Sequence, residues 1–179
     1  MASRGRRGAR RLALLTAAGA TVVLAGCGFG AHGLSFHNDK RFQFVQPASR
    51  AKITAPVTIT WTMKDFDPTG LTGSSDHAHG AFVVFIDRAP MPAGKDLRWL
   101  ARDDAGCKQD PKCPSTDYLA QRGIYVTTSP SVTIPFLPLK TGGVGDEQHY
   151  VNVVIVDGEG RRIGESAWYR SFHSPRRSS

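Results

Sequence analysis

Residues 57–63 read Val-Thr-Ile-Thr-Trp-Thr-Met, a strict alternation of apolar and polar side chains. Successive side chains of a β-strand point to opposite faces, so this period of two predicts a strand with one buried face. Trp61 falls on the apolar face, and we expect its indole ring to belong to the core. This segment decides the fold class, because strand signals recur along the rest of the chain.

Other segments have the composition of strands. Residues 81–86 form a continuous apolar run that is short enough for a strand buried on both faces. Residues 149–156 are rich in β-branched residues and end at Asp157-Gly158, a turn signal of β-hairpins. Pro135 has no N–H to donate, which places its strand at a sheet edge or turns that backbone position toward solvent. The seven predicted strands span residues 42–45, 57–63, 81–86, 124–128, 131–136, 149–156 and 163–172.

These strands predict one all-β domain over residues 42–173, an immunoglobulin-like antiparallel β-sandwich. The long connection between the third and fourth predicted strands covers residues 87–123. Because so long a connection without structure of its own would be unusual, we expect an ordered excursion. A short helix is predicted within it, near Asp96 to Ala101.

The N-terminal residues have the three parts of a bacterial lipoprotein signal peptide. Residues 1–11 hold five arginines and no acid, and residues 12–25 are an uncharged apolar run of 14 residues. A helix needs about 20 residues to cross a bilayer, so this run fits the centre of a signal peptide instead. The run ends at Leu24-Ala25-Gly26-Cys27, which resembles a lipobox. That resemblance implies that residues 1–26 are removed and that Cys27 carries a lipid.

We expect no folded structure in the segments on either side of the domain. Residues 27–41 are rich in Gly and polar side chains and are interpreted as a tether between the lipid and the domain. Residues 174–179 are interpreted as a disordered basic tail. Arg10-Arg11 also resembles a twin-arginine export signal, so the export route stays open between the general and the twin-arginine pathways.

The charge of the chain excludes one class of partner. The net charge is +8, and removal of the five signal-peptide arginines lowers it to +3. No run of Lys and Arg with interleaved aromatic residues occurs, so we expect no nucleic-acid binding.

Cys107 and Cys113 are the two cysteines left once Cys27 is assigned to the lipid. An even pair in an exported protein predicts a disulfide. Five residues separate the two cysteines, whereas redox motifs usually have two. The pair is therefore interpreted as a structural bond within the excursion.

Two segments carry a resemblance to known domains. Residues 55–61 and 149–160 resemble the immunoglobulin-like and fibronectin III-like domains of exported bacterial proteins, as found in actinobacterial lipoproteins. Such domains are usually adhesive or spacer modules and rarely enzymes. The resemblance therefore implies a non-enzymatic role. In agreement, Gly164-Glu165-Ser166 lacks the second Gly of a hydrolase nucleophile elbow.

The histidines are the sharpest signal for chemistry. Asp76-His77-Ala78-His79 places two imidazoles near one carboxylate, a set of ligands suited to copper or zinc. The alternative is a polar loop. His149 shares strand parity with Val151 and is expected inside the sandwich in a structural role, at the opposite end of the domain from His77 and His79.

Two tryptophans, Trp99 and Trp168, are candidates for a carbohydrate-binding platform. Taken together, the sequence predicts a lipid-anchored protein on the extracytoplasmic face of the cell membrane, without a required cofactor. We expect an immunoglobulin-like module that binds an envelope protein or a wall polymer. The alternative is an extracytoplasmic copper- or zinc-binding protein that uses His77 and His79.

Overall fold

The computed structural model of the chain describes residues 39–138 and 145–175. The predicted signal peptide, Cys27, most of the tether and residues 176–179 lie outside the described residues. None of the helices in the described ranges is long and apolar enough to cross a bilayer. The elements are β1 (Phe42–Gln46), β2 (Val57–Met63), β3 (Ala81–Ile86), a 3₁₀ helix (Leu97–Ala101), α1 (Ala105–Gln109), α2 (Thr116–Ala120), β4 (Ile124–Thr127), β5 (Ser131–Ile134), β6 (Glu147–Val156) and β7 (Trp168–Ser174).

The strands form two antiparallel sheets. One has the order β1-β2-β5 and the other the order β4-β3-β6-β7. The predicted all-β architecture is thereby confirmed at the level of two sheets built from seven strands in the described residues. β5 is an edge strand, one of the two positions expected for the strand with Pro135, but it ends at Ile134, so Pro135 follows the strand instead of lying within the predicted 131–136.

The core between the sheets follows the period of two. Val57, Ile59 and Trp61 of β2 are at most 1% exposed, while the threonines between them point outward. The indole ring of Trp61 meets the Phe82 ring edge to face, with 5.2 Å between the ring centres. The prediction that Trp61 belongs to the core is confirmed.

β3 is buried along its whole length because both of its faces are covered. Phe82 and Val84 face the first sheet, whereas Val83 and Phe85 point to the opposite side. There they pack against side chains of the excursion, among them Met91, Leu97 and Leu119. The excursion is therefore a lid over the outer face of the four-stranded sheet.

The excursion holds more helix than the sequence predicted. The 3₁₀ helix lies where a short helix was expected, with Asp96 accepting a hydrogen bond from the Trp99 N–H as its N-cap. α1 and α2 were not predicted, because five residues are too few to show a helical period of hydrophobicity. Their only local signals are the N-caps Asp104 and Ser115.

A disulfide joins Cys107 and Cys113, with 5.0 Å between the Cα atoms. Cys107 lies in α1 and is 7% exposed, so its sulfur belongs to the buried side of the excursion. The bond ties α1 to the turn that precedes α2.

The last strand differs from its predicted boundaries. β7 spans Trp168–Ser174 rather than 163–172. The prediction was wrong over residues 163–167, because hydrogen bonds from Arg162 hold this segment out of the strand. Its guanidinium donates to the carbonyl oxygens of Met91, Glu165 and Ser166, and this folds the segment into a turn. Ser174, predicted to begin the tail, is instead a buried residue of β7.

Candidate functional site

The β2–β3 connection carries the predicted metal-binding histidines. Nδ1 of His79 lies 2.8 Å from Oδ2 of Asp76, and Nε2 of the same ring lies 3.8 Å from Oδ2 of Asp67. Oδ1 of Asp76 accepts the Ala78 N–H at 2.9 Å. That backbone hydrogen bond is the largest cause of the lowered pKa of Asp76, and the hydrogen bond to His79 is the second largest. His79 is thus held between two carboxylates.

The structure does not bring the three predicted ligands into one cluster. His77 is exposed, and Asp76 is already engaged with His79. Across residues 39–138 and 145–175, no three side chains of the His, Cys, Asp and Glu types are grouped to hold an ion. The copper or zinc hypothesis stays a prediction.

His149 lies at the opposite end of the sandwich. Strand register pairs Ala81 with Val156 and Ile86 with Val151, so the two ends of β3 separate His79 from His149. The β2–β3 connection instead contacts the turn after β6, where the Gly73 N–H donates to the Gly158 carbonyl at 2.8 Å.

A polar network surrounds His149, which is fully buried. Its Nδ1 lies 2.6 Å from Oδ2 of Asp87, and its Nε2 lies 3.0 Å from Oγ of Ser174. Oδ1 of Asp87 accepts the Tyr150 N–H at 3.0 Å. The inward orientation of His149 was predicted from strand parity. Asp87 and Ser174 were missed, since each lies just beyond or at the end of a strand with no pattern to mark it.

The order Asp-His-Ser is that of a hydrolase triad, but its setting here is different. Ser174 is 7% exposed and the His149 ring has no exposed surface. A nucleophile must meet the carbonyl carbon of its substrate, and Oγ of Ser174 faces the interior. The network as it stands joins the ends of β3, β6 and β7.

A groove of about 470 Å³ lies between the edge strands of the two sheets. Phe42 and Phe44 of β1 form one wall, and Trp168 and Arg170 of β7 form the other. The remaining lining residues are Gln43, Ala167 and Tyr169.

Trp168 is held in place at this groove. Its indole Nε1–H donates to the Asp39 carbonyl at 2.9 Å. Its ring stacks on Phe42, with 4.5 Å between the ring centres and 14° between the planes. The Asp39 carboxylate is bound by the Arg41 guanidinium, which lowers the pKa of Asp39.

Tyr169 lies between Trp168 and Arg170 on β7 and is 58% exposed. Its ring stacks with that of Tyr150 on the neighbouring strand, with 6.1 Å between the centres. β7 therefore presents aromatic surface both at the groove and on the outer face of its sheet.

Trp99 does not join this surface. It packs against the hydrophobic cluster on the outer face of the four-stranded sheet, whereas Trp168 packs against the cluster between the sheets. The Arg102 guanidinium lies 3.7 Å from the centre of the Trp99 ring and covers one face of it. The two predicted platform residues thus belong to different surfaces.

A second groove of about 490 Å³ lies where β5 ends, next to β3 and α2. Phe136 projects there and is 72% exposed. Tyr125 also lines the groove, and burial raises the pKa of its hydroxyl. No ionisable side chain other than Tyr125 lines this groove among the described residues.

Comparison with known proteins gives no match to this chain: no family model, no curated protein sequence and no solved structure is similar to it.

Proposed function

We propose that this chain is a non-enzymatic lipoprotein of the cell envelope whose immunoglobulin-like domain binds a partner protein or a wall polymer. The observation that carries this proposal is the groove between β1 and β7. It combines fixed aromatic walls with an exposed tyrosine, as expected of a binding surface.

The strand distribution supports an immunoglobulin-like relationship. Strands one, two and five share a sheet, and strands three, six and seven share the other, as in constant-type immunoglobulin domains. The fourth strand departs from that pattern, because β4 pairs with β3 instead of joining the first sheet. The disulfide lies in the excursion between β3 and β4, where it braces the lid over the outer sheet face.

The lipid anchor is proposed from the sequence of residues 1–27. Intact-mass analysis of protein extracted from membranes should give a chain that begins at an acylated Cys27. Cys27→Ala should leave the chain unprocessed or released from the membrane. A mature N-terminus elsewhere would contradict the anchor without bearing on the groove.

Binding is tested by retention of the purified protein on isolated cell envelopes. Tyr169→Ala should reduce retention several-fold, because it removes the most exposed of the aromatic side chains that border the groove. Phe136→Ala is the matched control, since it removes an even more exposed ring from the other groove. Equal retention of the wild type and both variants would argue against a binding role for the β1–β7 groove.

A metal-binding function is the second candidate. The hydrogen bond between Asp76 and Nδ1 of His79 is of the kind that orients ligand histidines, and it leaves Nε2 facing Asp67. Equilibrium dialysis against zinc or copper should then give stoichiometric metal that His77→Ala/His79→Ala removes. Metal-free wild-type protein after dialysis would rule this function out.

A further inference from the structure

Arg170 gives the β1–β7 groove its only charge among the described lining residues. The seven lining side chains include one cation and no acid. The Arg170 guanidinium carbon lies 5.2 Å from the centre of the Phe44 ring, a cation–π arrangement that holds the cation over one wall.

The charge of Arg170 has no counterpart within the described residues. Neither a hydrogen bond nor an ion pair to its side chain is found there, and its Nε is buried without a partner. The Asp39 carboxylate, in the residue whose carbonyl accepts the Trp168 indole N–H, binds two nitrogens of Arg41 at 2.7 to 3.3 Å instead. Two other ring-stacked arginines, Arg102 and Arg122, each contact an acid, Asp103 and Asp104 respectively. Arg170 therefore lacks the acceptor that a buried N–H requires.

The side chains that line the groove indicate which class of ligand fits it. A guanidinium forms paired hydrogen bonds with carboxylate and phosphate oxygens, and an arginine already held against a ring loses less freedom when it does so. The aromatic walls at Phe44 and Trp168 match the C–H faces of a sugar ring. The volume of about 470 Å³ is that of a small-ligand site.

We infer that this groove binds an acidic saccharide unit, with the carboxylate or phosphate of the sugar on Arg170 and the sugar ring resting on the aromatic side chains that line the groove. This inference rests on the proposed binding role of the groove and adds the class of ligand. Charge complementarity favours it over a neutral polymer.

The test is calorimetric titration of the purified full chain in a nonionic detergent. The ligands are trigalacturonic acid and phosphorylated pentamannose, each compared with its neutral counterpart. We expect at least one acidic ligand to bind about tenfold or more tighter than its neutral counterpart, equivalent to about 1.4 kcal/mol. The acidic ligand that binds identifies carboxylate or phosphate as the recognised group.

Three variants assign the effect to Arg170. Arg170→Gln should abolish the preference for the acidic ligand, and Arg170→Lys should retain part of it. Arg102→Gln is the matched control, because it removes a ring-stacked arginine outside the groove and should change affinity less than about twofold, within the scatter expected for a remote charge. A melting curve of each variant verifies that it is folded.

Several results would overturn the inference. Equal binding of acidic and neutral sugars, no binding of either, or binding of polyglutamate alone would each do so. If neutral sugars bind and Tyr169→Ala abolishes that binding, the proposed function stands while the anionic specificity fails. If Tyr169→Ala also leaves envelope retention intact, the proposed function fails as well.

Discussion

Nδ1 of His149 lies 2.6 Å from Oδ2 of Asp87, although 62 residues separate them in the sequence. Asp87 follows β3 with a φ of 53°, a left-handed conformation in which its carboxylate also accepts the Tyr150 N–H. The imidazole therefore connects the end of β3 to β6 and, through Ser174, to β7.

Replacing His149 by Phe should destabilise the domain. The ring would fill a similar volume, but the buried oxygens of Asp87 and Ser174 would each lose a hydrogen bond. We expect a loss of about 1–3 kcal/mol in the free energy of unfolding, the usual cost of leaving a buried polar group without its partner. Urea unfolding measures it. His77→Phe, at an exposed position, is the control, and equal stability of the two variants would contradict a structural role for His149.

Trp61→Ala should be among the most destabilising single changes in the core. The ring is 1% exposed and contacts Phe42 and Phe82. Truncating a large buried aromatic side chain costs about 3–5 kcal/mol, which denaturant unfolding would report. Thr62→Ala, on the exposed face of the same strand, should cost far less. Comparable losses would mean that β2 has the opposite register in solution.

Loss of the disulfide should loosen the excursion more than the sandwich. The bond joins residues six apart, so chain entropy predicts a contribution of about 2 kcal/mol. In Cys107→Ser/Cys113→Ser, hydrogen exchange should accelerate over residues 97–120. Amides of β2 and β5 on the distant sheet should be affected least. Uniform acceleration across both sheets would contradict a local role.

Arg162→Met should open the segment between β6 and β7. Arg162 is 8% exposed, and burial lowers its pKa. Its guanidinium bonds three carbonyl oxygens, which would be left without these donors, and we expect a loss of about 1–3 kcal/mol. Arg161→Met, which removes a single exposed hydrogen bond to Gly94, is the matched control in a thermal melt. An unchanged melting temperature for Arg162→Met would show that the carbonyls find other partners.

The stability of the excursion should depend on the ionisation of Asp104. Backbone N–H donation, first from Cys107, and the Tyr118 hydroxyl lower the pKa of Asp104. A carboxyl with a lowered folded-state pKa stabilises the fold above its unfolded pKa of about 3.9, and this contribution is lost as pH falls through the folded value.

Thermal melts from neutral pH down to about pH 2 therefore test Asp104→Asn. The variant should be less stable than the wild type at neutral pH, and the difference should shrink in acid. Asp103→Asn, at a largely exposed neighbour, should show no such trend. A constant difference between Asp104→Asn and wild type would contradict the assignment.

The positions of the strands and their buried faces could be predicted from the sequence, because the alternation of apolar and polar side chains is a local property. Each residue of a strand points to the side opposite its neighbour, so the pattern over residues 57–63 was enough to bury Trp61. The same parity oriented His149 inward. The pairing of Cys107 with Cys113 was likewise accessible, since the two lie six residues apart and compete with no other described cysteine.

The helices of the excursion and their boundaries were harder to predict from the sequence, because they depend on contacts with a surface that is distant along the chain. β3 has a second buried face only because Met91, Leu97 and Leu119 come to rest on it. The five-residue helices α1 and α2 are held by caps and by this packing rather than by a periodic pattern of their own.

By itself, the sequence determined which segments are strands, which side chains of those strands point inward, and which cysteines pair. Only the tertiary structure decided which strands pair with one another. It brought Asp87, His149 and Ser174 together, and it opened a groove where Phe44 meets Arg170. The physical reason is the separation along the sequence of the residues that determine each feature. Alternation of side chains is set by neighbouring residues, whereas contacts across more than a hundred residues depend on how two sheets pack.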